Sequence, residues 1–186
     1  MSVLEIAQVG HPVLRERARE VTAEELRSPE IQRLIDDMIE TKRAANGAGI
    51  AANQIGETLR IAIVEVEPGN PRYPYKPAIP LTVIVNPTLE PVGDETVEIT
   101  EGCLSVPDLR GSVERHVAVR VRYLDRDGVE HDEVRCGLTA GTFQHEVDHL
   151  DGILFLDRVT DPTTFSTWEH SDFEARAREI VERLGE

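Results

Sequence analysis

At 186 residues the chain is one domain by length and long enough to bury a sizeable core. Its formal net charge of −15 disfavours direct affinity for nucleic acid and favours solubility, and its two cysteines, Cys103 and Cys136, argue against a disulfide framework. No basic-then-apolar leader and no apolar run near membrane-spanning length occurs, so the expectation is a soluble monomer in a reducing cytoplasm, without membrane contact.

In chain order, Thr22-Ala23-Glu24-Glu25 has the signature of a capping box and predicts a short helical turn. Ser28-Pro29-Glu30 opens a longer helix, with serine at the N-cap and proline at the first helical position. Ile31, Leu34, Ile35 and Met38 give that helix one apolar stripe, and Asn46-Gly47 is its expected end. Strands are expected at 59–66, 81–86, 95–101, 116–124 and 129–136. In the fourth, Val117, Val119, Val121 and Tyr123 alternate with Ala118, Arg120 and Arg122, and Asp127-Gly128 supplies a hairpin turn before the fifth. Between the first two strands, over 67–80, Pro68, Pro71, Pro74, Pro77 and Pro80 recur every third residue. That period suits polyproline II, either as a ligand for an aromatic-lined domain or, the preferred reading, as a stiff ordered surface loop. A helix then carries residues 143–150, with Gly152 placed as its C-terminal cap. Phe165, Trp168, Ala177, Ile180, Val181 and Leu184 suggest a closing amphipathic helix over 165–186. The order of elements implies an α+β fold, with antiparallel sheets wrapped around a central helix and helices at both ends.

Chemistry concentrates in three segments. In His145-Glu146-Val147-Asp148-His149, a helix sets the two histidines about 40° apart on one face, and Glu146 about 60° round from His149. The pattern reads as two metal ligands and a proton shuttle for hydrolysis, against the plainer reading of two solvated histidines. Phe143, Val147 and Leu150 occupy the opposite face, so both sides of this helix want burial. For a third ligand, the extended zinc-protease pattern fails because Phe155 stands where its last histidine belongs. Glu169, Glu174 and His170 lie in a polar stretch that looks like a solvated helix start. Cys103, in Thr100-Glu101-Gly102-Cys103-Leu104-Ser105-Val106-Pro107, is the better candidate, since thiolate is a strong soft ligand and Gly102 allows close approach. Its plainer reading is a small buried hydrophobe. In Gly47-Ala48-Gly49-Ile50-Ala51-Ala52-Asn53-Gln54 the main chain is bare enough for a peptide to lie against it, with the Gln54 amide available to an oxyanion. The alternative there is a helix cap followed by a tight small-residue crossing.

Taken together and in chain order, Gly47–Gln54, then Glu101–Ser105, then Gln144–Leu150, the three segments resemble the signature motifs of peptide deformylase. Gly10-His11-Pro12-Val13-Leu14-Arg15, the Val113–Gly128 region and Gly152-Ile153-Leu154-Phe155-Leu156-Asp157-Arg158 resemble further parts of that family, extending the likeness over roughly residues 3–160. The resemblance implies an α+β enzyme that removes the formyl group from the N-terminal formyl-methionine of newly made polypeptides. It further implies one divalent ion on Cys103, His145 and His149, usually Fe(II), with Zn(II), Ni(II) or Co(II) able to replace it. Glu146 then acts as general base, while the Gln54 side-chain amide and the Leu104 backbone N–H stabilise negative charge on the formyl oxygen. Gly47, Gly49, Ile50, Gly102 and Phe143 are expected to bind substrate, the Pro-rich segment to rim the groove, and Asp148 to pair with a buried arginine such as Arg115. Gly141 and Thr142 depart from the bulkier residues expected one turn before His145, which bears on the size of the methionine pocket. Two other readings stand beside this one. A metallopeptidase or other metal amidohydrolase is disfavoured by Phe155 and by the intact Cys103 segment, and a metal or thiol sensor is disfavoured by Glu146, which a sensor does not need. Some deformylases dock a basic C-terminal helix at the ribosome. Here Phe173–Leu184 carries three arginines against three glutamates, so ribosome association is expected to be weak and salt-sensitive, with catalysis little dependent on this helix.

Overall fold

The caps written in the sequence start the first two helices where expected. In the computed structural model, which describes residues 2–184, Thr22 and Glu25 form a reciprocal capping box at α1 (Ala23–Leu26). The Ser28 side chain accepts the Ile31 N–H at the head of α2 (Pro29–Ala44), and Pro29 sits in its first turn. Its other end falls where expected, at Asn46-Gly47. The residue that turns left-handed after α2 is Asn46, with φ 52°, and Gly47 is not in that conformation.

Five strands make the larger sheet: β1 (Gly49–Ala51), β2 (Ile61–Val66), β3 (Ile79–Pro91), β6 (Ala118–Leu124) and β7 (Glu130–Cys136), neighbours in that order and all antiparallel. The smaller sheet joins β4 (Thr96–Cys103), β5 (Val106–His116) and β8 (Ser166–Thr167). β2 is buried along its whole length because both faces are covered. Ile61 and Ile63 pack with Ile31, Ile35 and Met38 of α2, whereas Ala62 and Val64 pack with Phe143 and Leu150 of α3 (Gly137–Leu150). α3 touches both sheets and α5 (Phe173–Leu184), while the short α4 (Phe155–Arg158) packs on β4 and β5, so the histidine helix is the centre of an α+β fold. It ends as Gly152 takes φ 74°, with its N–H on the His149 carbonyl and the Ile153 N–H on that of Asp148. A Cβ at Gly152 would lie 2.6 Å from the Arg15 carbonyl oxygen, so both conformation and space require glycine.

Several expectations need correction. β5 begins at Val106, where no strand was expected, and pairs with β4 through Cys103↔Val106 across a two-residue turn. The strand expected over 116–124 is β6, which starts only at Ala118. The Pro-rich segment is not polyproline II. Hydrogen bonds from Tyr73 N–H to the Asn70 carbonyl and from Lys76 N–H to the Tyr73 carbonyl coil it through successive turns, and these bury Tyr73 and Tyr75 in the core. The C-terminal helix is shorter than expected, since Phe165 and Trp168 precede it. Residues 1, 185 and 186 lie outside the described residues. None of the described helices is long and apolar enough to cross a membrane.

Candidate metal centre

The site is assembled from the β4 end, α3, β1 and the short helical turn Ala52–Ile55. One sulfur and two imidazole nitrogens, from Cys103, His145 and His149, lie within 4.8 Å of one another. Cys103 Sγ is 3.2 Å from His149 Nε2 and also receives the Ser105 N–H at 3.4 Å. Burial alone would keep the Cys103 thiol protonated, but the two neighbouring imidazoles overcome it and hold the thiol well below its ordinary pKa. A thiolate with two imidazoles is a donor set suited to a first-row divalent ion, and these residues fit one.

Ligand orientation comes from a chain of buried charges. His145 Nδ1 is 2.8 Å from Glu101 Oε2, which leaves Nε2 for the centre. Glu101 is itself gripped by Arg115 through Nε at 2.6 Å and Nη2 at 3.0 Å. Arg115 also donates to Asp148 at 2.6 Å, and Arg158 closes on the same carboxylate at 2.5 and 2.6 Å. The expected Asp148–Arg115 pair is thus present, and Glu101, which had no expected role beyond its place in the motif, links it to a ligand.

Glu146 points into the cavity beside the three donors. It is 4% exposed and its Oε2 has no partner among the described residues. Burial raises its pKa, against the pull of the nearby histidines. Gly49 lies so close that a Cβ there would sit 2.3 Å from Glu146 Oε1. Gln54 is fixed by the Ala51 N–H on its Oε1 at 2.9 Å. Its Nε2 therefore faces Ser105 Oγ, at 3.0 Å, and Cys103 Sγ, at 3.5 Å. Leu104 lines the same cavity.

The expected substrate residues divide. Gly49 and Gly102 line the cavity. Ile50 does not, because on a strand its side chain points to the face opposite Gly49, and it is fully buried against α2. Phe143 lies about 160° round the helix from His145 and is likewise fully buried, in the core with β2. Gly47 packs on the Leu104 side chain, where a Cβ would be 2.9 Å from Leu104 Cδ1. On α3 the cavity stripe is Leu138, Gly141, Thr142, His145 and Glu146, at intervals of three, four, seven and eight residues from the first. Phe155 is buried near Cys103, Glu174 pairs with Arg178 at 2.7 Å and His170 bonds Thr167 Oγ1 at 3.0 Å, and among the described residues the donor group holds Cys103, His145 and His149 without Glu169, Glu174 or His170. Tyr73, Tyr75 and Lys76 from the Pro-rich loop and Ala177 and Ile180 from α5 complete the walls. The loop was expected at the rim. Catalysis was expected to depend little on α5, yet its Ala177 and Ile180 stand in the cavity wall.

A buried thiolate–bis-imidazole centre beside an unpartnered carboxylate defines a metal-dependent hydrolase. The chain matches the polypeptide deformylase family model over residues 3–165. It is 41% identical over 172 residues to a peptide deformylase of Leptospira biflexa serovar Patoc, covering 92% of this chain and 96% of that one. It is 47% identical over 157 residues to one from Nostoc sp., covering 84% and 86%. Among solved structures, a class I type b peptide deformylase from Acinetobacter baumannii aligns with a TM-score of 0.81 at 45% identity, over 86% of this chain and 100% of that one. A peptide deformylase from Synechococcus elongatus aligns at 0.76 and 30%, over 100% of this chain and 87% of that one. The chain belongs to the peptide deformylase family, the hydrolases that remove the formyl group from the N-terminal formyl-methionine of new polypeptides.

Proposed function

We propose that Cys103, His145 and His149 hold one ferrous ion, and that Glu146, Gln54 and the Leu104 backbone N–H carry out hydrolysis of the formyl amide. The observation that carries this is the unpartnered Glu146 carboxylate in one cavity with the three donors. An ion at this centre supplies Lewis acidity toward the formyl carbonyl and toward water. Glu146 takes the proton from the attacking water and later delivers it to the leaving amine nitrogen, which gives formate and a free N-terminus. Its raised pKa makes it a better base than a hydrated carboxylate. Gln54 Nε2 gives one N–H to Ser105 Oγ and turns the other toward Cys103 Sγ at 3.5 Å, and this second N–H, with that of Leu104, is the one that meets the charge developing on the formyl oxygen. The Acinetobacter baumannii relative is described with Met-Ala-Ser bound, which is the product that formyl-Met-Ala-Ser would leave. Thiolate and imidazole ligands suit Fe(II) or Zn(II), with Ni(II) and Co(II) as substitutes, and the family's habit favours iron.

The test is metal analysis of anaerobically purified protein alongside formate release from formyl-Met-Ala-Ser. Activity should track iron and decay in air as the ion and then Cys103 oxidise. Air-purified protein with stoichiometric iron and full activity would refute the ferrous assignment. Gly49→Ala should lower turnover at least about tenfold while the metal stays bound, because the new methyl displaces the Glu146 carboxylate. Unchanged turnover in that variant would show that Glu146 does not need its present position. Ribosome association is proposed to be weak and salt-sensitive, since Arg176 is engaged by Glu98 and Asp172, each at 2.9 Å, and Arg183 faces Glu95 at 3.9 Å.

A further inference from the structure

The far end of the cavity is not apolar. Lys76 of the Pro-rich loop reaches in, and its Nζ lies 2.9 Å from Thr142 Oγ1 and 5.0 Å from the centre of the Tyr73 ring. Thr142 Oγ1 in turn donates to the Leu138 carbonyl at 3.0 Å, so its hydrogen is spent and its remaining role is to accept from Lys76. An ammonium has three donors, and among the described residues Lys76 has no carboxylate partner. Arg110 stands nearby. It is 1% exposed, with Nε and Nη2 unpartnered among the described residues and its guanidinium 3.6 and 3.9 Å from the ring centres of Trp168 and Phe173. Glu101, the carboxylate of the cavity wall, is already taken by Arg115 and His145. Burial lowers the Lys76 pKa, as for an ammonium without a full set of partners.

The cavity end is shaped by the two residues at which this chain departs from bulkier side chains. At Gly141 a Cβ would lie 2.7 Å from Ile99 Cδ1, so Ile99 fills the space that glycine leaves. At Thr142 the hydroxyl anchors the lysine. On the deformylase reading, on which this inference rests, the formyl carbon lies by Glu146 and the peptide must run out to solvent. The first side chain then has Leu138 and Thr142 of α3 as the cavity wall one to two turns from His145. We infer that Lys76 enables this pocket to take a first side chain ending in a hydrogen-bond acceptor oxygen, so that formylated peptides beginning with methionine sulfoxide are accepted alongside those beginning with methionine. An apolar pocket would strip water from the sulfoxide oxygen and give nothing back, whereas the Lys76 ammonium supplies the missing donor.

The experiment compares formyl-Xaa-Ala-Ser with Xaa as methionine, methionine sulfoxide, glutamine and norleucine, on metal-loaded wild type and Lys76→Met. kcat and KM are measured, together with calorimetric binding of the corresponding deformylated tripeptides. In wild type, the sulfoxide and glutamine should stay within about threefold of methionine in kcat/KM, and norleucine should gain nothing. In Lys76→Met both oxygen-bearing substrates should fall at least about tenfold relative to methionine, the effect of leaving a buried acceptor unpaired, and norleucine should rise. Wild type that rejects the sulfoxide and glutamine by more than about tenfold overturns the inference whether or not the variant folds. The same substrate ratios in wild type and variant overturn it as well. If formyl-Met-Ala-Ser released no formate, the deformylase reading would fail instead, and tripeptide binding would still report on the pocket.

Discussion

Glu146→Ala should keep its metal and lose at least about a hundredfold in turnover, within the usual span for removal of a general base. Cys103→Ala should do the reverse and lose or loosen the ion. The contrast follows from position. Glu146 lies in the cavity with the donors but is held apart by the helix, with its carboxylate against Gly49. Cys103 Sγ is one of three donor atoms within 4.8 Å of one another, and His145 and His149 without it are only two ligands. Alanine at 146 also removes a buried carboxylate that burial already disfavours, so the folded state should tolerate it. The measurements are metal content after dialysis and formate release at saturating formyl-Met-Ala-Ser. An empty site in Glu146→Ala beside a full one in Cys103→Ala would invert the assignment of base and ligand.

Much of this was legible in the sequence because the signals are local. Ser28-Pro29 fixes the start of α2, and the spacing of His145 and His149 fixes which helix face carries the metal. Cys103 was the better candidate for a third ligand once Phe155 broke the rival pattern, and the family resemblance, not the residue alone, implied that role. What could not be read is orientation between elements. The motif around Gly49 names a segment that borders the cavity, but only strand pairing shows that Gly49 faces the cavity and Ile50 the core. Phe143 failed for the same reason on a helix. β5 was hidden because Leu104-Ser105 lacks the glycine or asparagine that marks a tight hairpin, and because Asp108 with φ 55° and Arg110 interrupt an apolar alternation. The Pro-rich loop misled because proline periodicity overshadowed Tyr73 and Tyr75, whose burial turns the segment inward and carries Lys76 with it. Arg110, buried among aromatic rings far from it in sequence, left no local signal.

Arg115→Met should destabilise the fold by about 3–5 kcal/mol and weaken metal binding as well. Methionine matches much of the arginine's bulk, so the expected loss is chiefly one of charge. Arg115 is 3% exposed and holds Glu101 with two nitrogens and Asp148 with a third. Without it, Asp148 still has Arg158 at 2.5 and 2.6 Å, whereas Glu101 is left buried with His145 alone. An uncompensated buried carboxylate is the costly product, and removing one partner of such a network is far worse than replacing the whole of it. The second consequence follows from the same bond. Glu101 fixes the tautomer and direction of the His145 ring, and loss of such an orienting partner costs about 10–100-fold in metal affinity. Urea unfolding of the metal-free protein isolates the first effect, and competition with a chelator on the folded protein isolates the second. A variant that unfolds more easily yet binds metal as tightly as wild type would show that Glu101 positions His145 without Arg115. Wild-type stability in the metal-free variant would show instead that the buried charges are relieved by water or by protonation.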